Sequence, residues 1–413
     1  MAKADLVIGL DIGTTKICVV VGEVTEDGVD IVGIGSSPST GLRKGVVVSI
    51  DETVKSVQKA LEEAELMAGC EIRAVYAGIA GSHIKGFNSH GVIAVKTGEV
   101  TQKDVERALE AASAVAIPLD REVIHTLPQE YIVDDQRGIV HPLGMSGVRL
   151  EVKVHIVTGA VTSAQNIVRS CHRAGLDVSD IVLEALASAK AVLTEEEREI
   201  GVALVDLGGG TTDIAIFAND SIKHTGVLPL GGQNLTNDIA FGLRTPMASA
   251  ERIKLKYGCA MVDLVHNDEI IEVPSVGGRE PRRLSRTLLA EICQPRMEEV
   301  LALVDQELTR SGYKHLIGAG VVLTGGGSLL EGSQELGEQI FNMPTRIGFP
   351  RNIGGLKDVV NSPKYATAVG LLCFGAEKEG APGGGGGGGG GRTSPGTFDG
   401  MLKRMKDWFK DVK

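Results

Sequence analysis

The chain has 413 residues, 43% of them hydrophobic and 23% charged, which is enough apolar material for the cores of two or three domains. A formal net charge of −11, with no basic tract in the body beyond one short arginine cluster, speaks against nucleic-acid binding. Six scattered cysteines without a CxxC pair and nine histidines without metal spacing argue against a zinc site or a disulfide framework. The N-terminus lacks the features of a signal peptide, and no apolar run reaches the roughly 18 residues of a spanning helix. The body is therefore expected in the cytosol, leaving any membrane contact to the tail.

In chain order, the first element is a β-hairpin, VIGLDIGTTKICVVV from Val7 to Val21. Two apolar strands flank an Asp and a Gly/Thr turn too tight for bulky side chains. Helical patterns follow at Ser49–Gly69, at Thr101–Ile117 and at Thr162–Leu176. The second opens on a Thr101/Asp104 capping pair and is expected to stop at Pro118. A second hairpin, ALVDLGGGTTDIAIF, runs from Ala203 to Phe217. There Asp206 answers to Asp11 and Thr211-Thr212 to Thr14-Thr15, with two extra glycines in the second copy. Two such hairpins among alternating helices imply two similar α/β halves.

An Asp that ends a buried strand before glycines and hydroxyls suits a phosphate and its cation. Glycine amides approach phosphate oxygens closely, and the carboxylate holds hydrated Mg²⁺. The metal candidates are Asp11 and Asp206, acting through water. The phosphate candidates are Gly13, Thr14, Thr15 and Lys16 in the first turn, and Gly208, Gly209, Gly210 and Thr211 in the second. Two such turns facing each other would clamp a polyphosphate. A third glycine turn, VVLTGGGSLLEG from Val321 to Gly332, offers Gly325, Gly326 and Gly327 for the nucleoside side. No P-loop, HExxH or nucleophile elbow is present.

Between the second and third turns, GGREPRRLSR gathers Arg279, Arg282, Arg283 and Arg286, with Arg296 beyond. After the third turn the composition shifts to Gly, Pro, Ser and Glu, including nine consecutive glycines, and residues 377–397 read as a disordered linker. Its 21 residues would span about 25 Å as a Gly-rich coil, a reach that a docked helix would not need. The final segment places Phe398, Met401, Leu402, Met405, Trp408, Phe409 and Val412 on one helical face. Lys403, Arg404, Lys406, Lys410 and Lys413 stand against Asp399, Asp407 and Asp411 on the other. This pattern suits a membrane interface with anionic lipids.

At GLDIGTTK, LVDLGGGTTDI and LTGGGSLLEG the sequence resembles the actin and DnaK-type ATPase superfamily. IVLEALASAKAVL from Ile181 and YATAVGLL from Tyr365 resemble its connecting helices. PLGGQNLTNDIA and AERIKLKYG add Gly231, Gly232, Glu251 and Lys254 to the nucleotide site. The implied fold is α/β, an actin-like (ribonuclease H-like) two-lobed ATPase with an inserted α/β subdomain and a C-terminal amphipathic helix. ATP and Mg²⁺ are the implied ligands. Glu184 matches the residue that positions metal and water, although this chain has Glu184-Ala185 where the chaperones have Glu-Pro. No side chain supplies a strong base, so hydrolysis is expected to be slow at most.

Within that superfamily, the inserted stretch and the tail resemble the bacterial cell-division FtsA family. The implied division is 1–83 with 163–196 for the first lobe, 84–162 for the insertion, 197–228 with 300–376 for the second lobe, and 229–299 for its outer subdomain. The linker at 377–397 and the membrane-targeting helix at 398–413 complete the chain. The resemblance implies an adaptor at the cytoplasmic face of the inner membrane, at the septum. Arg282, Arg283, Arg286 and Arg296 would take the C-terminal peptide of the tubulin-like FtsZ, the insertion would take later division proteins, and the body would form actin-like filaments. A sugar-kinase-type phosphotransferase and a type IV pilus assembly ATPase share the core, but neither accounts for a lipid-binding tail.

Overall fold

In a computed structural model covering residues 6–25, 28–266 and 268–380, the β-branched runs Leu6–Ile12 and Lys16–Thr25 pair as an antiparallel hairpin. Both are buried on the two faces almost throughout, as strands covered by helices on both sides must be. The chain divides into two units, one from residues 1–79, 162–191 and 350–413, the other from 80–161 and 192–349.

The first unit is built on a six-stranded sheet in the order Asp177–Leu183, Ala74–Ile79, Leu6–Ile12, Lys16–Thr25, Gly28–Pro38, Ile353–Gly355. The first three strands run parallel, so their carboxyl ends lie at one edge. Helices Ile50–Ala68 and Ala366–Gly380 cover opposite faces. A Cβ at Gly35 would stand 1.9 Å from the Ala60 carbonyl of the first helix, and one at Gly9 2.4 Å from the Ala368 carbonyl of the second. Gly35 lies opposite Val19 and Leu10, and Gly9 opposite Val20, so the two glycines point to different faces.

Residues 350–380 therefore pack with the first unit, where the sequence reading assigned 300–376 to the second lobe. The Ala366–Gly380 helix also continues through the four residues from Glu377 that composition assigned to the linker. Helix Gln102–Ser113 carries the expected capping box but ends at Ser113, with Ala114 already outside helical backbone, five positions before the Pro118 at which the sequence pattern places its stop. All six cysteines are free thiols, and burial pushes Cys171 and Cys293 up to about 12. No helix among the described residues is long and apolar enough to cross a membrane.

In the second unit, residues 85–160 form a four-stranded antiparallel sheet with helix Gln102–Ser113 on one face, around a core of its own that includes Leu150, Val152, Val154 and Ile156. A five-stranded sheet in the order Ser221–Leu228, Thr212–Ala218, Val202–Leu207, Val321–Thr324, Thr345–Ile347 packs under helices Gly232–Gly242, Met247–Tyr257, Arg286–Arg310 and Ser333–Phe341.

His155 joins the two sheets. Asn88 donates from Nδ2 to the Lys223 carbonyl at 3.2 Å and to the Tyr313 hydroxyl at 2.8 Å, which turns its Oδ1 toward His155. Nδ1 of the imidazole donates to that oxygen at 2.6 Å, so Nε2 accepts from the Thr225 hydroxyl at 2.9 Å. Burial first, and His224 second, lower the His155 pKa to about 4. In the unfolded chain it titrates near 6.5. Between those values the unfolded chain binds a proton that the native chain does not, so stability falls as pH drops and is flat above the upper value. The loss between pH 7 and pH 5 is expected to be about 2 kcal/mol. His155→Gln should remove that slope in urea titrations, and an unchanged slope would place its origin elsewhere.

Candidate functional site

In the first unit the phosphate candidates sit at the carboxyl edge of the parallel strands, where open α/β sheets bind ligands. Asp11, 6% exposed, ends the first strand. The Gly13 N–H donates to the Lys16 carbonyl at 3.0 Å, and a Cβ at Gly13 would stand 2.8 Å from that oxygen. The turn is thus as tight as its sequence suggests. The Thr14 hydroxyl accepts from the Gly45 N–H at 3.0 Å, and the Thr15 carbonyl from the Ser39 N–H at 3.0 Å.

Lys16 Nζ lies 3.8 Å from Asp11 Oδ2, donates to the Lys364 carbonyl at 2.8 Å, and stands 4.5 Å over the Tyr365 ring. Glu184 opens helix Glu184–Val192, directly after the Asp177–Leu183 strand. Its Oε1 lies 3.2 Å from where a Cβ of Gly78 would be, so its carboxylate reaches over the strand beside that of Asp11. Cys18, opposite Asp11 in the ladder, is an inert thiol whose pKa burial raises to about 11.

In the second unit Asp206, also 6% exposed, ends its strand in the same way. The hairpin register corrects the sequence alignment of the two turns. Asp11 pairs with Cys18 and Asp206 with Asp213, so both hairpins have the same spacing and the second has no extra residues. Gly209 and Gly210 stand where the first hairpin has Thr14 and Thr15, and Thr211 stands where it has Lys16. A Cβ at Gly208 would be 2.9 Å from the Thr211 carbonyl, the counterpart of the Gly13–Lys16 contact. The Thr211 hydroxyl donates to Asp213 Oδ2 at 2.9 Å.

The other candidates of this unit gather around that turn. The N–H groups of Gly232 and Gln233, at the start of a helix, donate to the carbonyls of Gly208 and Gly209 at 2.9 and 2.8 Å. The turn thereby satisfies two of the helix's terminal donors. Lys254 Nζ donates to the Gly232 carbonyl at 3.2 Å and to the Thr236 hydroxyl oxygen at 2.9 Å, and pairs with Glu251 at 2.8 Å. Gly325 follows a strand parallel to that of Asp206, and a Cβ there would stand 2.2 Å from Asp206 Oδ1. A Cβ at Gly327 would stand 2.9 Å from the Leu207 carbonyl, and Gly326 is exposed. Sequence reasoning passed over Tyr365, Thr236 and Gly45. The sequence pattern marks Tyr365 only as the start of a connecting helix.

The arginine cluster separates into two groups. Arg286 donates to Glu269 at 2.8 Å, to the Tyr257 carbonyl at 2.9 Å, and to Glu331. Arg296 is forked onto Asp238 at 2.5 and 3.1 Å and also bonds Glu299. Both hold the fold together. Arg279, Arg282 and Arg283 are exposed, and Arg282 reaches the Leu243 carbonyl, beside the exposed Phe241 and Arg244. The membrane candidates Phe398, Met401, Leu402, Lys403, Arg404, Met405, Lys406, Trp408, Phe409 and Lys410 lie outside the described residues. Among the described residues, no group of three or more His, Cys, Asp or Glu side chains is placed to hold a metal ion.

A family model described as "Cell division protein FtsA" matches residues 203–370, and one described as "SHS2 domain inserted in FTSA" matches residues 81–158, the four-stranded sheet with its helix. The cell division protein FtsA of Pseudomonas aeruginosa is 54% identical over 404 residues, covering 98% of this chain and 97% of that protein. Among solved structures, a PilM-PilN type IV pilus biogenesis complex matches with a TM-score of 0.65 at 18% identity, over 90% of this chain and 98% of that one. MreB5 of Spiroplasma citri bound to ADP matches with a TM-score of 0.52 at 14% identity, over 89% and 95%. The fold is the actin-like one, with an inserted α/β subdomain.

Proposed function

The chain belongs to the FtsA family of cell division proteins, and from that premise we propose that it is an ATP-binding adaptor. It holds FtsZ filaments on the cytoplasmic membrane at the septum and self-assembles there through its actin-like body. The near-full-length likeness to a cell division protein carries this reading. The likeness to the pilus complex is one of fold alone.

Each of the two turns, within its own unit, suits phosphate groups and their cation. Each follows a strand-end aspartate, and each is closed so tightly that a side chain at Gly13 or Gly208 would strike the turn's own backbone. Asp11 in the first unit and Asp206 in the second are each suited to Mg²⁺ through water, and such a metal would neutralise phosphate charge. Gly13, Thr14, Thr15 and Lys16 of one turn and Gly208, Gly209, Gly210 and Thr211 of the other would hold phosphates. Gly231, Gly232, Glu251, Lys254 and Gly325–Gly327 would face the nucleoside. Glu184 would orient a water molecule, which fits slow turnover better than a general base would.

For the acidic C-terminal peptide of FtsZ, the exposed Arg279, Arg282 and Arg283 are suited to forked contacts with carboxylates. Phe241, two residues from the Leu243 carbonyl that Arg282 reaches, is exposed and offers an apolar anchor. Arg286 and Arg296 support this surface through their own ion pairs. Arg283→Glu is expected to weaken binding of a labelled peptide in anisotropy titrations about tenfold, with the melting temperature unchanged. Arg296→Glu should instead lower the melting temperature. Wild-type peptide affinity in Arg283→Glu would remove this surface from the account.

A further inference from the structure

The ammonium of Lys16, which stands 3.8 Å from Asp11 Oδ2 of its own hairpin, is also held from outside that hairpin. The Lys364 carbonyl accepts from it at 2.8 Å, and the Tyr365 ring lies under it at 4.5 Å, well inside the range of a cation–π contact. The same ring carries the Lys364 ammonium at 4.7 Å, so one aromatic side chain gathers two cations beside the Asp11 turn. Residues Pro363–Tyr365 form a single 3₁₀ turn leading into helix Ala366–Gly380. That helix is fixed by its close approach to Gly9 and by the Ser188–Thr367 hydroxyl pair at 3.0 Å. The ring therefore stands on a rigid element of the same unit.

We infer that Tyr365, together with the Lys364 carbonyl, positions the Lys16 ammonium for the phosphates of a nucleoside polyphosphate. The inference rests on the nucleotide reading of the Asp11 turn. A free lysine side chain samples many rotamers and must give them up when an anion arrives. An ammonium already seated on a ring and a carbonyl has given them up in advance, and its N–H donors point in fewer directions. Tyr365 is thus a positioning residue, acting on the ligand through Lys16.

The test is equilibrium binding of a ribose-labelled ATP with Mg²⁺ to the full chain, with unlabelled adenosine as a competitor. The wild type is compared with Lys16→Ala, Tyr365→Leu, Tyr365→Phe and the Lys16→Ala/Tyr365→Leu pair. Tyr365→Leu is expected to weaken the ATP analogue about tenfold and leave adenosine within about twofold. Tyr365→Phe, which keeps the ring, should bind like the wild type. The double variant should bind no more weakly than Lys16→Ala alone, because the ring has nothing left to position.

Wild-type affinity in Tyr365→Leu would overturn the inference while leaving the nucleotide site standing. So would an equal loss for adenosine, or an undiminished further loss in the Lys16→Ala background, since each marks a structural role. If the wild type itself bound no ATP, the nucleotide reading would fall and take the inference with it.

Discussion

Gly325→Ala is expected to lower MgATP affinity by about a hundredfold. Gly325 has φ 78° and ψ 168°, a region of backbone space open essentially to glycine alone. The strain of placing another residue there costs about 1–3 kcal/mol. Space is the second cost. The added Cβ would stand 2.2 Å from Asp206 Oδ1 and 2.7 Å from the Leu207 carbonyl, far inside contact distance. Relief requires moving either the glycine turn or Asp206, and both belong to the proposed site. Calorimetric titration with MgATP, read beside the melting temperature, measures both costs. Wild-type affinity in a folded Gly325→Ala protein would mean that neither Asp206 nor this turn meets the nucleotide.

Much of this arrangement was legible in the sequence because the chemistry is local. A strand-end Asp before a glycine turn announces itself in a few residues, and so does the Thr101/Asp104 capping box. The relation between the two hairpins was misread because identical threonines drew the alignment. Ladder register, which the letters do not carry, sets Thr211 opposite the role of Lys16. Arg286 and Arg296 looked like Arg283 in the sequence. Their acidic partners Glu269, Glu331 and Asp238 are tens of residues away, and only folding brings them near. The same distance hid Tyr365, which is 349 positions from Lys16 and meets it because the last helix returns to the first sheet. Residues 350–376 belong with the first unit for the same reason.

Removing everything after Gly380 is expected to abolish membrane binding while leaving the body folded. The segment removed carries the apolar face from Phe398 to Val412 and five basic against three acidic side chains. Each basic group near an anionic leaflet contributes about 1 kcal/mol, and the apolar face adds its own burial. Net of the three acidic groups the charge contribution is about 2 kcal/mol, roughly thirtyfold, and burial of the apolar face carries the loss of vesicle affinity well beyond a hundredfold. One such segment binds reversibly, so attachment should strengthen as protomers assemble and present several at once.

The adaptor account requires one molecule to hold a membrane and FtsZ together, so the direct measurement is co-sedimentation with anionic vesicles. Full-length chain and the chain ending at Gly380 are compared, each with MgATP and the C-terminal peptide of FtsZ. The account predicts that the full-length chain pellets and carries the peptide down, while the shortened chain stays in solution with its peptide bound. If both chains stayed in solution, or both pelleted alike, the tail would not be the membrane anchor and the adaptor reading would be contradicted.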